Sequence, residues 1–101
     1  MRDRQDLHQI LVDLLGTANV YFQPPPKLNL SYPCIIYRLD DIDTKYASNL
    51  PYKLTRRYLV TVIDKDPDST IPLDVAKLPM CSFDRFYAAN NQNHNVFKLF
   101  F

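Results

Sequence analysis

The chain has a single glycine, Gly16, among its 101 residues. Loops that cradle phosphate need several glycines, so that the backbone can close around the anion without a Cβ in the way. Glycine-rich nucleotide fingerprints are therefore excluded. Cysteine is nearly as scarce. Cys34 and Cys81 stand far apart and no C-x-x-C spacing occurs, which leaves no redox dithiol motif and no zinc-ribbon spacing. Both fall inside apolar, strand-like runs, where reduced core thiols are expected; a disulfide would require the two strands to be neighbours. No apolar run approaches the length that a bilayer demands, and the opening Met-Arg-Asp-Arg-Gln-Asp has no signal-peptide character. A protein made in the cytoplasm, without a membrane partner, is expected. Charge of one sign is lacking too. Twelve basic and eleven acidic residues leave a net +1, too little for a strong field toward nucleic acid or an anionic membrane.

What is present is apolar and aromatic. Hydrophobic residues make up 47 % and charged residues 23 %, a globular balance that argues against disorder. The length predicts one domain, 1–101, with one modest core. Tyr and Phe supply the 13 % aromatic content, a bias toward strands and interfaces.

Residues 1–16 predict an N-terminal helix. Leu7, Ile10, Leu11, Leu14 and Leu15 form one stripe at helical spacing. Asp3 and Asp6 suit the positive end, and Gly16 suits a C-terminal cap. Val20-Tyr21-Phe22 predicts a short strand. Pro24-Pro25-Pro26 stiffens residues 23–33 into an arm or surface loop. Residues 34–63 predict a long hairpin. Its first strand, Cys34 to about Tyr46, begins apolar and turns acidic at Asp40, Asp41 and Asp43. Asn49-Leu50-Pro51-Tyr52 supplies turn residues. The second strand, Leu54 to Ile63, sets Tyr58, Val60 and Val62 against Leu59, Thr61 and Ile63. Apolar residues on both faces predict a central strand covered on both sides. A short helix follows at 70–79, with Ser69 or Thr70 as N-cap, Pro72 in the first turn and Pro79 at its close. A C-terminal hairpin at 81–101 alternates Cys81, Phe83, Arg85 and Tyr87 against Ser82, Asp84, Phe86 and Ala88, turns at an Asn-rich segment, and ends in a strand from His94 to Phe101. The expected fold class is α+β: a mainly antiparallel sheet of four to five strands, an N-terminal helix and a second short helix.

Candidate chemistry is thin. Asp64-x-Asp66-x-Asp68 opens like a calcium loop, but the sixth position is Ser69, the twelfth is Val75, and Pro67 interrupts; a capped strand-to-helix turn is expected instead. On a strand, Asp41 and Asp43 share a face while Asp40 points away, and no His or Lys completes a nuclease-like set. A solvated or subunit-facing acidic edge is expected there. His8 falls at the rim of the helix stripe, and His94 follows the Asn-rich turn. With the two cysteines they lack any shared ligand spacing. Arg56-Arg57-Tyr58 and Arg85-Phe86-Tyr87 interleave cations and rings as base-stacking platforms do, but without net positive charge. No catalytic residues, no cofactor and no metal are expected, and the chain is expected not to be an enzyme. An interaction protein remains. Its candidate interface residues are Asp40, Asp41, Asp43, Tyr46, Tyr52, Arg56 and Arg57, with Pro24, Pro25 and Pro26 as a candidate arm.

The block Arg57–Ser69, then Leu78-Pro79, Phe83–Tyr87 and Asn93–Phe97, with Tyr32–Tyr37 and Tyr46–Asn49 upstream, resembles the tail-terminator proteins of long-tailed bacteriophages. These are also called tail-completion or tail-to-head joining proteins. The likeness spans residues 30–101 and contains no catalytic motif. It implies an α+β sandwich whose subunits form a homo-oligomeric ring, a hexamer. Such a ring caps the tail tube protein, ends its polymerisation and presents a surface to the head-completion or connector protein, while DNA passes through without specific binding. The implied location is the head–tail junction of the virion. The hairpin tip from Asp40 to Pro51 is expected to line the channel or face the tube, and a negative lumen would let DNA slide by like-charge repulsion. Two alternatives stand beside it: a neck or head-completion subunit on the connector, and a small nucleic-acid-binding or metal-dependent accessory protein.

Overall fold

Helix α1 (Arg4–Leu15) is fixed at both ends by its sequence. The Asp3 carboxylate accepts the Asp6 amide at 3.0 Å, and the Asp6 carboxylate accepts the Asp3 amide at 3.1 Å. This is a capping box, with aspartate at the position where glutamate is usual; the chain contains no glutamate. Gly16 ends the helix at φ +83°, its amide donating to the Val12 carbonyl at 2.9 Å. A Cβ there would meet no atom within 4 Å, so the demand for glycine is purely conformational.

A computed structural model describes residues 3–25 and 29–101, with the side chains of Pro51 and Tyr52 outside that description. After α1 come β1 (Val20–Phe22), β2 (Cys34–Ala47), β3 (Leu50–Asp64), α2 (Ile71–Ala76), β4 (Cys81–Ala89) and β5 (Gln92–Phe100). The strands form one sheet in the order β1-β2-β3-β5-β4. Only the β1–β2 pair is parallel. The fold class is α+β.

Leu7, Leu11 and Leu15 of α1 and Val75 of α2 pack with Ile35, Tyr37, Tyr58, Val60, Val62, Phe97 and Leu99. Cross-strand partners place those sheet residues on one face. Both helices therefore cover the same face, and β3 is not covered on both sides as its pattern suggests. On the other face Cys34, Ile63 and Val96 are buried apart from this core, while Leu59 and Thr61 are half-buried. No helix among the described residues packs there. Branched residues on that face fit the pleat itself rather than a second layer.

The turn between β2 and β3 is Ser48-Asn49, at φ +54° and +64°, two left-handed residues as a tight hairpin requires. Leu50, Pro51 and Tyr52, expected in the turn, belong to β3. Pro51 is tolerated because no third strand among the described residues runs beside the ribbon to need its missing N–H. β1 pairs with β2 only as far as Tyr37, and β5 pairs with β3 only from Arg57 onward. Beyond that limit the hairpin is a bare two-stranded arm. It stretches the molecule to 50 × 24 × 22 Å with a radius of gyration of 14.7 Å, against about 13 Å for a compact chain of this length.

Helix α2 is shorter than expected. Thr70 holds the N-cap position without a side-chain bond, and the Ser69 hydroxyl accepts the Ile71 amide instead, at 3.3 Å. The helix ends ahead of Leu78, the residue that Pro79 pushes away from helical geometry. In β4 a bulge between Phe83 and Arg85 breaks the expected alternation. Phe86 pairs with Asn95 and Tyr87 with His94, so Cys81, Phe83 and Phe86 share the helix-bearing face. The β4–β5 turn is Asn90-Asn91, both left-handed. Residues 23–25 and 29–33 lie in the connection between the parallel strands. Pro24 is half-buried and Pro25 exposed, while Pro26 lies outside the described residues. Gln23 fastens the start of this loop: its amide donates to the Tyr37 carbonyl at 2.9 Å, and its Oε1 accepts the Leu39 amide at 3.2 Å.

Candidate interaction surface

The acidic run of β2 meets its counter-charges across the ladder. A bulge between Leu39 and Asp41 makes Asp40 the extra residue and brings it round beside Asp41 rather than away from it. Both face one guanidinium. Arg57 Nε donates to Asp40 at 2.8 Å, and Arg57 Nη2 stands 3.6 Å from Asp41. Asp43 lies 3.6 Å from Lys45. From Asp40 to Pro51 the tip holds three carboxylates against Lys45 alone, whereas the whole arm from Arg38 to Arg57 holds three carboxylates and five cations and is net positive. Reading along β2 sees Asp40, Asp41 and Asp43 against Arg38 and Lys45; antiparallel pairing sets Lys53, Arg56 and Arg57 alongside. Among the described residues no carboxylate pairs with Arg38, Lys53 or Arg56.

The arm is also apolar where a solvated ribbon would be polar. Tyr46, Leu50 and Leu54 are 65–69 % exposed, and Leu39 and Ile42 are exposed as well. Ile42 pairs with Arg56 and Thr44 with Leu54, which puts Ile42, Leu54 and Arg56 on one face of the ribbon. Of the candidate residues, Asp40, Asp41 and Arg57 converge; Asp43, Tyr46 and Arg56 lie farther out along the arm. The side chain of Tyr52 lies outside the described residues. Leu50, Leu54 and Ile42 escaped the sequence reading, because only the pairing register reveals that nothing covers them.

At the opposite end of β3, Asp64, Asp66, Pro67, Leu73 and Phe86 line an open groove of about 460 Å³. The Asp64 carboxylate accepts the Asp66 amide at 3.0 Å, and that of Asp66 accepts the Asp68 amide at 2.9 Å. These local turns spend the carboxylates on backbone rather than pointing them at one centre. Among the described residues no three His, Cys, Asp or Glu side chains converge as metal ligands would.

The histidines and cysteines are absorbed by structure. The Tyr37 hydroxyl, on a fully buried ring, takes a bond from Arg4 Nη1 at 3.2 Å and lies 2.7 Å from His8 Nδ1. Arg4 also caps the Phe22 ring at 4.5 Å. Burial, helped by the Arg4 charge, lowers the His8 pKa, and burial raises that of Tyr37. His94 stacks on Tyr87 with centroids 4.5 Å apart. Both cysteines are free thiols. β3 and β5 separate their strands, so they cannot pair. Desolvation pushes the Cys34 thiol up to about 11 and raises that of Cys81, the opposite of an activated nucleophile. Among the described residues no helix is long and apolar enough to cross a membrane.

Comparison with known proteins finds no matching family model, no matching curated protein and no matching solved structure.

Proposed function

We propose that this protein is a non-enzymatic subunit of a homo-oligomeric ring, a hexamer, that caps the tail tube of a long-tailed phage and joins it to the head connector. The observation that carries an assembly role is the bare arm: a two-stranded ribbon with Tyr46, Leu50 and Leu54 exposed to water. A monomer gains nothing from such a surface, and exposed apolar patches of this kind mark contact sites. The likeness to tail terminators supplies the particular assembly. The arm's net positive charge favours a protein contact over a place in the channel wall, where it would hold the DNA backbone by attraction. DNA then passes along another surface of the ring, without specific binding.

The test is tail length by negative-stain electron microscopy in lysates of a phage lacking this chain. Overlong, headless tubes of variable length are expected. Tails of normal length beside filled, unattached heads would transfer the protein to the neck, and normal infectious particles would remove the structural role.

A further inference from the structure

The two ends of β3 carry complementary surfaces. At one end is the arm, with an apolar stripe of Ile42 and Leu54, apolar residues at its tip, and the cations Lys53 and Arg56 unpaired by any described carboxylate. At the other end is the groove beside α2, with Leu73 63 % exposed and Phe86 54 % exposed on its walls. Its rim is acidic: residues 64–74 hold four carboxylates against the single Lys65, and none of the four forms an ion pair among the described residues. Each end thus has apolar area that the molecule itself does not cover, and each has the charge that the other lacks. The 50 Å length of the molecule keeps them from meeting within one chain.

We infer that the arm of one copy seats in the α2–β4 groove of the next copy with both faces of the ribbon engaged, Leu54 with Arg56 on one face and Leu50 with Lys53 on the other, the leucines against Leu73 and Phe86 and the cations toward Asp64, Asp66 and Asp68. The contact joins two different surfaces, so it is head-to-tail. Contacts of that kind build a closed ring when the rotation between copies closes, and a filament when it does not. The occupant is a second copy of this chain because the charges match in sign and both surfaces expose large apolar side chains. The inference deepens the ring reading and rests on it only for closure.

Charge reversal provides the test. One variant carries Lys53→Glu and Arg56→Glu, the other Asp66→Lys and Asp68→Lys. Each is followed by sedimentation at low ionic strength, where screening is weak, and checked for folding by circular dichroism. The wild type is expected to self-associate, and each variant alone to do so at least about tenfold more weakly. Mixed one to one, the two variants restore opposite charge at every contact and should re-associate as alternating copies. A wild type that stays monomeric, or variants that still associate singly, or a mixture that does not recover, would overturn the inference. A second measurement avoids the acidic turn altogether. Protein with Leu50→Cys and Leu73→Cys, treated with a short bismaleimide, should give a ladder of cross-linked oligomers, since the two sites stand at opposite ends of the folded molecule. Absence of the ladder while each parent with one added cysteine still labels more than the native thiols Cys34 and Cys81 do would be equally fatal. Overlong tails together with failed mixing would keep the terminator role and discard this interface. Successful mixing with normal tails would do the reverse.

Discussion

Replacing Tyr37 with phenylalanine tests how α1 is held to the sheet. The ring is fully buried and its hydroxyl meets Arg4 and His8. Arg4 has only donors, so it must donate to the phenol oxygen, and the phenol hydrogen is left for His8 Nδ1. That arrangement needs a neutral His8 carrying its proton on Nε2. The phenol pKa is raised, chiefly by burial, which keeps the hydrogen in place. Phenylalanine keeps the packing and removes two hydrogen bonds, one of them to a charged donor. Arg4 and His8 are half-buried, so water recovers part of the loss. The net cost is about 1–2 kcal/mol, a fall in Tm of roughly 5–15 °C for a domain of this size. The same network makes stability depend on pH. The folded His8 pKa lies below the ordinary 6.5, depressed first by desolvation and then by Arg4. As pH falls the unfolded chain takes up this proton first. Stability from neutral His8 is whole above pH 6.5 and drains away as pH drops from there toward the folded value. Thermal unfolding followed by circular dichroism, at neutral pH and at the acid end of that window, measures both effects. In the phenylalanine variant the acid loss should persist, because desolvation and Arg4 still depress His8. A Tm drop under about 2 °C would refute the network.

Leu11 is fully buried in the middle of α1, and Leu11→Ala should cost about 3 kcal/mol in urea unfolding, the transfer and cavity terms acting together. Cys34 is fully buried, with its thiol pushed up to about 11. Titration with a thiol reagent under mildly alkaline, native conditions should label Cys34 only after denaturant is added, and rapid native labelling of both cysteines would contradict its burial. Among the described residues the outer arm pairs only with itself and borders the body of the molecule near Met80 and Phe100. Replacing residues 43–55 with an Asn-Gly turn should therefore leave Tm within a few degrees of wild type while abolishing self-association in sedimentation.

The elements with strong local signals were legible in the sequence. The leucine stripe, Asp3, Asp6 and Gly16 specify α1 almost to its end residues, because caps and periodicity are local physics. The Asn-rich turn announced its left-handed pair. What failed depended on partners far along the chain. Nothing around Asp40 reveals a bulge, since a bulge is a property of the pairing with Arg57. The same holds for the β4 bulge, which moves Phe86 to the opposite face from the one simple alternation assigns. Pro51 looked like a turn residue because a proline in a strand is tolerated only where no third strand needs its amide, and strand neighbours are not written locally. The net charge of the whole arm depends on pairing as well: Lys53, Arg56 and Arg57 arrive from the returning strand.

The bulge at Asp40 has a mechanical consequence. It lies where the hairpin leaves the sheet, and Arg57 ties both adjacent carboxylates to the opposite strand. From Asp41 to Ala47 the ribbon runs on for about 20 Å. A change of about 10° at its root therefore carries the tip sideways by roughly 3–4 Å, most of the spacing between neighbouring strands. The single inserted residue and its ion pairs act as a wrist that sets the aim of a long lever. Were copies to join through the arm as proposed, small errors of aim would repeat from copy to copy, and the angle at this joint would set how many copies fit.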